Sequence, residues 1–432
     1  MVFGTTILGS NPSAPARNML LIDKIRKVFF PFYKSKKVKK IISILNTKNR
    51  KQAMFVGGCV RKYLSNEKID DIDIATVFTP HQIIEKFINS DVEVKKTGLL
   101  HGTLTLVSEG KSFEVTTLRE DVSTDGRHAQ VSFTDNWEKD SERRDFTINA
   151  IYLDERGKIF DPQLGLKDLK NKKVRFIGDP DKRIKEDYLR ILRYIRFSIQ
   201  YKDLKADETT SKAIQLNLNG VKKLSKERIY SELTKIIKLE NFQDIFKNKF
   251  LLDVFKLIFP EFINIERAKN FTQIRNLKRI ILEKDVILAS MLINSSNNHE
   301  YFSHKYKVSN ETKDNLNFYA KLLKEIKINK NFFAKDLKKN IFYNGRDKIK
   351  SVFLIFNLMK EKTIPSKITD MFSKIDSISI PRFPITGNDL LSRGVKGGRK
   401  VGELMKKMEK KWIENNFNLN DEEIKSLLKK NI

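Results

Sequence analysis

The chain predicts an α+β protein: a head in which a mixed sheet and helices combine, followed by an all-helical neck, body and tail. Strand-like and helix-like segments alternate from a basic helix near residues 35–49 to about residue 160. From Asp179-Pro180 onward the apolar spacing turns helical. At 432 residues the chain can form two or more domains and bury a substantial core. The divisions this gives are an N-terminal extension over 1–35, a head over 36–178, a neck over 179–240, a body over 241–375 and a tail over 376–432.

Met1 to Asn18 carry one arginine and no acid, unlike the lysine-rich remainder of the chain. They read as a disordered extension, a misassigned start with Met19 as the true one, or a weak targeting sequence. The charged n-region and longer apolar core of a secretory signal are missing.

The most informative segment of the head is Phe55-Val56-Gly57-Gly58-Cys59-Val60-Arg61, followed by Asp71-Ile72-Asp73-Ile74-Ala75-Thr76. It gives strand, turn, helix, strand. Successive strand side chains alternate between faces, so Asp71 and Asp73 project to the same side. Two carboxylates held together attract divalent cations, and Mg²⁺ takes carboxylate oxygens together with substrate phosphates and water. Without Cβ atoms, Gly57 and Gly58 let backbone approach a phosphate closely, and the next helix, with Arg61 on its first turn, adds positive potential.

Further along, Thr103 to Val107 and Lys111 to Thr117 read as a hairpin around Glu109-Gly110. Within it Glu114 is either a third carboxylate near the metals or an exposed strand residue. Leu118 to His128, polar with an Asp125-Gly126 turn, reads as an exposed mobile loop. Arg143 and Arg144 flank the entrance to Asp145-Phe146-Thr147-Ile148-Asn149-Ala150, whose alternation suggests a strand or a helix start.

The neck begins with a helix expected over Glu186 to Tyr201, with Leu189, Leu192, Ile195 and Ile199 as its apolar stripe. Asp187 and Arg190, three apart, share a face as a fixed acceptor and donor pair. Cytosine and adenine each present an exocyclic amine beside an unprotonated ring nitrogen, which a carboxylate and a guanidinium satisfy together. Uracil and guanine reverse both contacts, leaving buried polar groups unpaired, and should be rejected. Arginine steps of three drift backward by about 60° each, so Arg190, Arg193 and Arg196 diverge around the helix. One can face a nucleotide while another braces the neck or touches RNA.

Composition bounds the partners. With 84 basic and 54 acidic residues the formal charge is +30, which attracts polyanions; part of the lysine excess reflects base composition of the genome. Cys59 is the single cysteine, so no internal disulfide forms and a reducing, cytoplasmic compartment is expected. It reads as a small buried filler. The five histidines are scattered and form neither a zinc nor a serine-hydrolase pattern; His101 either contacts a nucleotide or supports a turn. No apolar run is long enough to span a membrane. The body, rich in Phe, Ile, Leu and Lys, carries no nameable motif. In the tail, Gly394-Val395-Lys396-Gly397-Gly398-Arg399-Lys400-Val401-Gly402 precede a helix through Glu409 and Trp412, which suggests either a phosphate site or a turn capping a surface helix.

These motifs, with Gly98-Leu99-Leu100-His101-Gly102-Thr103, Asp161-Pro162-Gln163-Leu164-Gly165, Arg143 to Ala150 and Glu186 to Phe197, resemble the class II tRNA nucleotidyltransferase and bacterial poly(A) polymerase family, closest to the CCA-adding enzymes. The resemblance is strongest over residues 50–200. It implies a polymerase-β-like head that adds nucleotides from CTP and ATP to a tRNA 3′ end without a nucleic-acid template, using two metals, with Mg²⁺ as cofactor. By motif position, Asp71 and Asp73 would be the metal ligands. Gly58, Arg61 and Arg144 would contact the triphosphate and sugar, with Asp145 near the ribose. Asp187 and Arg190 would read the base, with Arg193 and Arg196 supporting them. The loop at 118–128 would assist the change from C to A addition, and the tail would grip the tRNA elbow. Partners are then tRNA, CTP and ATP, with no membrane and no protein partner. The chain departs from the family pattern at Lys62, where an acid is usual. The alternatives are a poly(A) polymerase, a partial enzyme, and a catalytically idle RNA-binding protein on the same scaffold.

Overall fold

The strands of the head are short, and in those that carry Asp73 and Glu114 these acids alternate with buried apolar neighbours. A computed structural model describes residues 31–46, 51–124, 129–277, 280–395 and 397–429. In chain order the strands are β1 (Ala53–Val56), β2 (Ile72–Thr76), β3 (Glu93–Gly98), β4 (Thr103–Ser108), β5 (Lys111–Thr117), β6 (Arg119–Thr124), β7 (Ala129–Phe133), β8 (Tyr152–Leu153) and β9 (Ile159–Phe160). Seven join one sheet in the order β3-β4-β5-β2-β1-β8-β9. Its pairings are antiparallel except β2 with β5, which run parallel and set Asp73 opposite Glu114.

The helices of the head are α1 (Lys36–Leu45), α2 (Gly58–Leu64), α3 (Pro80–Phe87), α4 (Trp137–Glu142) and α5 (Gly165–Lys170). On α1, Val38, Ile41, Ile42 and Leu45 are buried, the spacing of one helix face. They join a core with Ala53, Phe55, Ile72, Ile74, Leu104, Leu106, Phe113 and Val115. Ile72 and Ile74 point into that core, so period-2 alternation turns Asp73 to the opposite face; Phe113 and Val115 do the same for Glu114. Phe32 and Tyr33 also pack there, Phe32 against Phe55 with ring centroids 5.1 Å apart. Pro31 to Ser35, assigned to the extension from sequence, therefore join the head; residues 1–30 lie outside the described residues.

The hairpin forms as expected, Ser108 opposite Lys111, with Glu109 at φ 48° and Gly110 at φ 74°. Such a pair of positive φ values matches the right-handed twist of the flanking strands. The expected loop at 118–128 is corrected: β6 and β7 pair as a separate two-stranded ribbon. β6 is polar and pairs only with β7, so it adds nothing to the apolar pattern and reads as loop. Residues 125–128, the turn itself, lie outside the described residues.

The neck contains α6 (Pro180–Glu186), α7 (Leu189–Tyr201), α8 (Glu208–Asn217), α9 (Lys226–Ile237) and α10 (Lys249–Ile258). Here the expected helix over 186–201 is corrected. Asp187, at φ −155° and ψ 104°, is extended and separates α6 from α7.

Contacts divide the chain into two units. Head and neck form one, which runs to Leu239 and includes Asp244–Ile258; the other comprises Glu240–Gln243 and Phe259 onward. Of the body as read from sequence, Asp244–Ile258 belongs to the first unit, and the remainder falls in the second with the tail. Among its described residues the regular elements are all helical. In the Lys284–Leu292 helix every residue from Asp285 on is buried, and Trp412 of the Arg399–Glu414 helix packs against Phe342, Phe383 and Phe417 at 5.9, 5.3 and 4.9 Å. No helix among the described residues is long and apolar enough to cross a membrane.

Candidate active site

On the face of β2 and β5 turned from the core, Asp73 and Glu114 open onto a cavity of about 290 Å³. Thr103, Thr116, Arg119, Arg143 and Arg144 share its lining. Gly57 and Gly58 stand beside it: a Cβ on either would lie 3.4 or 3.7 Å from Asp73 Oδ2. Gly57, at φ 72°, adopts the conformation that favours glycine, and the Gly58 amide donates to the Asp73 carboxylate.

Burial, then the neighbouring Glu114 charge, raise the Asp73 carboxyl to about 6; Arg144 opposes this, and Asp71 adds to it. Asp71 is exposed, one residue ahead of β2. Crowded acids of this kind are what a bound dication relieves. Among the described residues no group of three or more metal-ligating side chains is drawn together in advance. That suits Mg²⁺, which uses one or two carboxylates plus phosphates and water rather than an all-protein cage. The donor set is all oxygen and fits a hard cation.

Arg144 is set by Asp140, a residue that sequence reasoning missed. Asp140 Oδ2 accepts from Arg144 Nη2 at 3.0 Å and from the Tyr152 hydroxyl at 2.7 Å. Its Oδ1 accepts from Arg143 at 2.9 and 2.7 Å. Burial acts to raise the Asp140 carboxyl, but the Arg144 and Arg143 guanidiniums outweigh it and hold it at about 2. The available signal was spacing, since Asp140 lies three and four residues before the two arginines. Thr116 was missed as well, although it follows Glu114 by two on β5 and so shares its face.

Arg61 is corrected. Its guanidinium lies inside the joint between α2 and α7, 6% exposed. Nε donates to the Tyr201 hydroxyl at 2.7 Å, Nη1 donates to Asn149, and the group sits 4.6 Å from the Phe197 ring centroid. It ties two helices together instead of facing the cavity. Cys59 is buried, and burial followed by the Asp73 charge pushes its thiol up to about 12, so it is a filler and not a nucleophile. Lys62 pairs with Asp70 at 3.0 Å, and the His101 carbonyl accepts from Arg119.

The base-reading candidates form a second cluster. Because α6 and α7 are separate, Asp187 and Arg190 are not an i,i+3 pair on one helix. Asp187 instead opens α7, its Oδ1 accepting from the Leu189 amide at 3.1 Å and its carbonyl from the Arg190 amide at 3.0 Å. Its Oδ2 accepts from Arg228 at 2.7 Å. Arg190 donates to Glu186 at 2.5 Å and to the Arg183 carbonyl at 2.8 Å. This cluster adjoins the cavity through backbone: Arg183 donates to the Arg143 and Arg144 carbonyls, and Arg190 to that of Arg143 at 3.4 Å.

The other two arginines of α7 diverge from Arg190 as helical drift requires. Arg193 pairs with Asp145 at 2.6 Å, and Arg196 with Glu232 of α9. Although burial works against ionisation, Arg193 holds the Asp145 carboxyl well below the usual range. The structure thus brings together Asp73, Gly58 and Arg144 with Asp71 at the edge, groups Asp187 with Arg190 beside them, and places Arg61, Arg193 and Arg196 in the packing of the neck.

Three family models match in succession: Poly A polymerase head domain over residues 53–175, probable RNA and SrmB- binding site of polymerase A over 203–265, and tRNA nucleotidyltransferase domain 2 putative over 283–428. The chain is 34% identical over 395 residues to the mitochondrial CCA tRNA nucleotidyltransferase 1 of Homo sapiens, covering 90% of this chain and 89% of that protein. It is 31% identical over 370 residues to the CCA-adding enzyme of Staphylococcus saprophyticus, 83% of this chain and 89% of that one. In fold it is similar to the Bacillus stearothermophilus CCA-adding enzyme crystallised with CTP, at a TM-score of 0.68, 23% identity and coverage of 97% and 98%. The fold also matches the Thermotoga maritima CCA-adding enzyme complexed with tRNA, at a TM-score of 0.57, 20% identity and coverage of 88% and 91%. Sequence likeness along nearly its whole length, on a head that carries the glycine turn and the acids, makes this chain a nucleotidyltransferase of the CCA-adding enzyme family.

Proposed function

We infer that the chain adds CCA to the 3′ end of tRNA, taking CTP and ATP and releasing pyrophosphate. The observation that carries this is the cavity in which Asp73 and Glu114 meet Arg144 beside the Gly57-Gly58 turn, in a chain similar to CCA-adding enzymes over 90% of its length.

Asp71 and Asp73 are the residues that would hold Mg²⁺, with Glu114 close by. Bound there, the metal would lower the pKa of the RNA 3′ hydroxyl and neutralise charge on the triphosphate. The chain's own groups do the rest. Gly57 and Gly58 allow phosphate oxygens to approach backbone. Arg144, fixed by Asp140 and Tyr152, presents a guanidinium to the negative charge that grows as the α-phosphate is attacked. Asp187 and Arg190 read the amine and the ring nitrogen of cytosine or adenine, with Arg193 and Arg196 holding α7 in place. Such a reader separates C and A from U and G by leaving wrong-base polar groups unpaired. A reducing compartment suits the lone buried thiol, and the cytoplasm and the mitochondrial matrix both provide one.

The test uses three tRNAs, ending before the first C, before the second C and before the A. With Mg²⁺ the protein should complete all three from CTP and ATP, and extend none with UTP or GTP. Long A tracts on generic RNA would overturn the assignment. Asp73→Ala should abolish turnover while tRNA binding persists; retained turnover would remove Asp73 from the metal site.

A further inference from the structure

Two threonines of the cavity have no role in the chemistry above. Thr103 of β4 and Thr116 of β5 stand opposite each other in register, and their hydroxyls are hydrogen-bonded at 3.0 Å. Both line the cavity that holds Asp73 and Glu114. A hydroxyl carries one O–H and two lone pairs, so the mutual bond leaves the pair one O–H to donate and three lone pairs to accept. The neighbouring threonines are placed differently. Thr117 donates to the Phe78 carbonyl at 2.8 Å, while Thr97 and Thr105 form a second pair, at 2.7 Å, outside that lining.

The order of strands indicates what meets the first pair. The glycine turn follows β1, and outward from β1 come β2 with Asp73, β5 with Glu114 and Thr116, and β4 with Thr103. Phosphates approach at the glycine turn, so pyrophosphate leaves on that side. In-line displacement sets the attacking oxygen opposite the leaving one. The bond from the RNA 3′ oxygen to the α-phosphorus forms as the α–β P–O bond breaks, its electron pair leaving with pyrophosphate and the hydroxyl proton passing to water. The attacking ribose therefore stands beyond the acids, on the side of β5 and β4. Its 2′ hydroxyl, on the carbon beside the attacking one, is both donor and acceptor, as the threonine pair is. Thr116 follows Glu114 by two on one face, about 7 Å along the strand, a span that one sugar fills with a contact at each hydroxyl. The base-reading cluster adjoins the cavity elsewhere, through the Arg143 and Arg144 carbonyls, which puts the incoming nucleotide on the arginine side.

We propose that Thr103 and Thr116 together recognise the 2′ hydroxyl of the ribose that ends the RNA, so that a ribonucleotide end is extended in preference to a deoxyribonucleotide end. This rests on the CCA-adding reading above. A threonine pair whose only role was to join β4 to β5 would change stability; one that meets the 2′ hydroxyl changes which end is extended.

The experiment uses tRNA ending before the second C, its terminal C made as the ribonucleotide or the 2′-deoxyribonucleotide, and compares kcat/KM for the two. CTP against dCTP on the ribo-ended tRNA is measured in parallel, with thermal midpoints. The unaltered chain should prefer the ribo end about tenfold, the worth of a hydroxyl whose partners would otherwise stay unpaired. Thr116→Val and Thr103→Val keep the shape and remove the hydroxyl, and each should abolish most of that preference while the CTP-to-dCTP ratio holds. Thr116→Ser should retain the preference, and so should Thr97→Val, which breaks the second pair. If the unaltered chain adds C and A yet treats both ends alike, or the valine variants at 103 and 116 keep the preference, this inference falls and CCA addition stands. It falls equally if those variants move the CTP-to-dCTP ratio instead, or if Thr97→Val loses as much preference as they do. If the unaltered chain extends neither end, the reading beneath it falls too.

Discussion

Asp140 holds together groups that belong to different parts of the head. Arg143, Arg144, the Tyr152 hydroxyl and the Arg119 amide all donate to it, and it is fully buried. Its folded carboxyl sits at about 2 against an ordinary 3.8. A depressed carboxyl contributes stability that is present above the unfolded value and lost as pH falls through the folded one. The contribution is therefore complete above about pH 4 and disappears toward pH 2, and amounts to about 2 kcal/mol. Asp140→Asn should destabilise the head-and-neck unit by at least that much at pH 7, since two guanidiniums lose their partner, and the deficit should shrink below pH 4. Trp137 reports this directly, because it packs edge-on against Tyr152 at 5.5 Å. In a Trp412→Phe background its fluorescence follows that unit alone, as the chain has two tryptophans. A deficit unchanged from pH 7 to pH 3 would show that the ion pairs carry no such weight.

At the level of elements, the joint between α2 and α7 depends on Arg61. Removing its head group while keeping its stem, as in Arg61→Met, strips a partner from Tyr201 and from Asn149, a loss of about 1–3 kcal/mol. Unfolding of the head-and-neck unit should move accordingly, with the KM for CTP within about threefold of the unaltered chain. A KM raised tenfold with stability intact would return Arg61 to the triphosphate. The same joint shows where the sequence was legible. Period-2 alternation placed Asp73, a Gly-Gly pair placed the turn, and 3.6-residue spacing placed α1 and the apolar stripe of α7, all local signals. The break at Asp187 was not legible, because Glu186-Asp187-Tyr188 contains no Gly or Pro to mark it. What ends α6 there is tertiary: Asp187 is captured by Arg228, 41 residues away, and the Tyr188 ring lies flush against Gly220. The placement of Arg61 was not legible for a related reason. Its position after the glycine turn points to phosphate, while its partners Asn149 and Tyr201 lie 88 and 140 residues on.

Over the whole molecule the issue is whether the +30 charge serves tRNA or records composition. Many of the lysines are exposed singly or in surface pairs such as Lys212 with Glu208 and Lys410 with Glu414, and such pairs are worth little in salt. Charges that meet RNA phosphates behave differently, because each neutralised phosphate releases a counterion and steepens the salt dependence. If about six phosphates are engaged, tRNA affinity should fall roughly a thousandfold between about 50 and 200 mM KCl. The KM for CTP at saturating tRNA should move far less, since Arg144 acts from a buried ion pair that salt screens weakly. Measuring both constants across that range separates the two origins of the charge. A log–log slope for tRNA shallower than about −2 would mean that fewer than about three phosphates are gripped, and the lysine excess would then be composition rather than recognition.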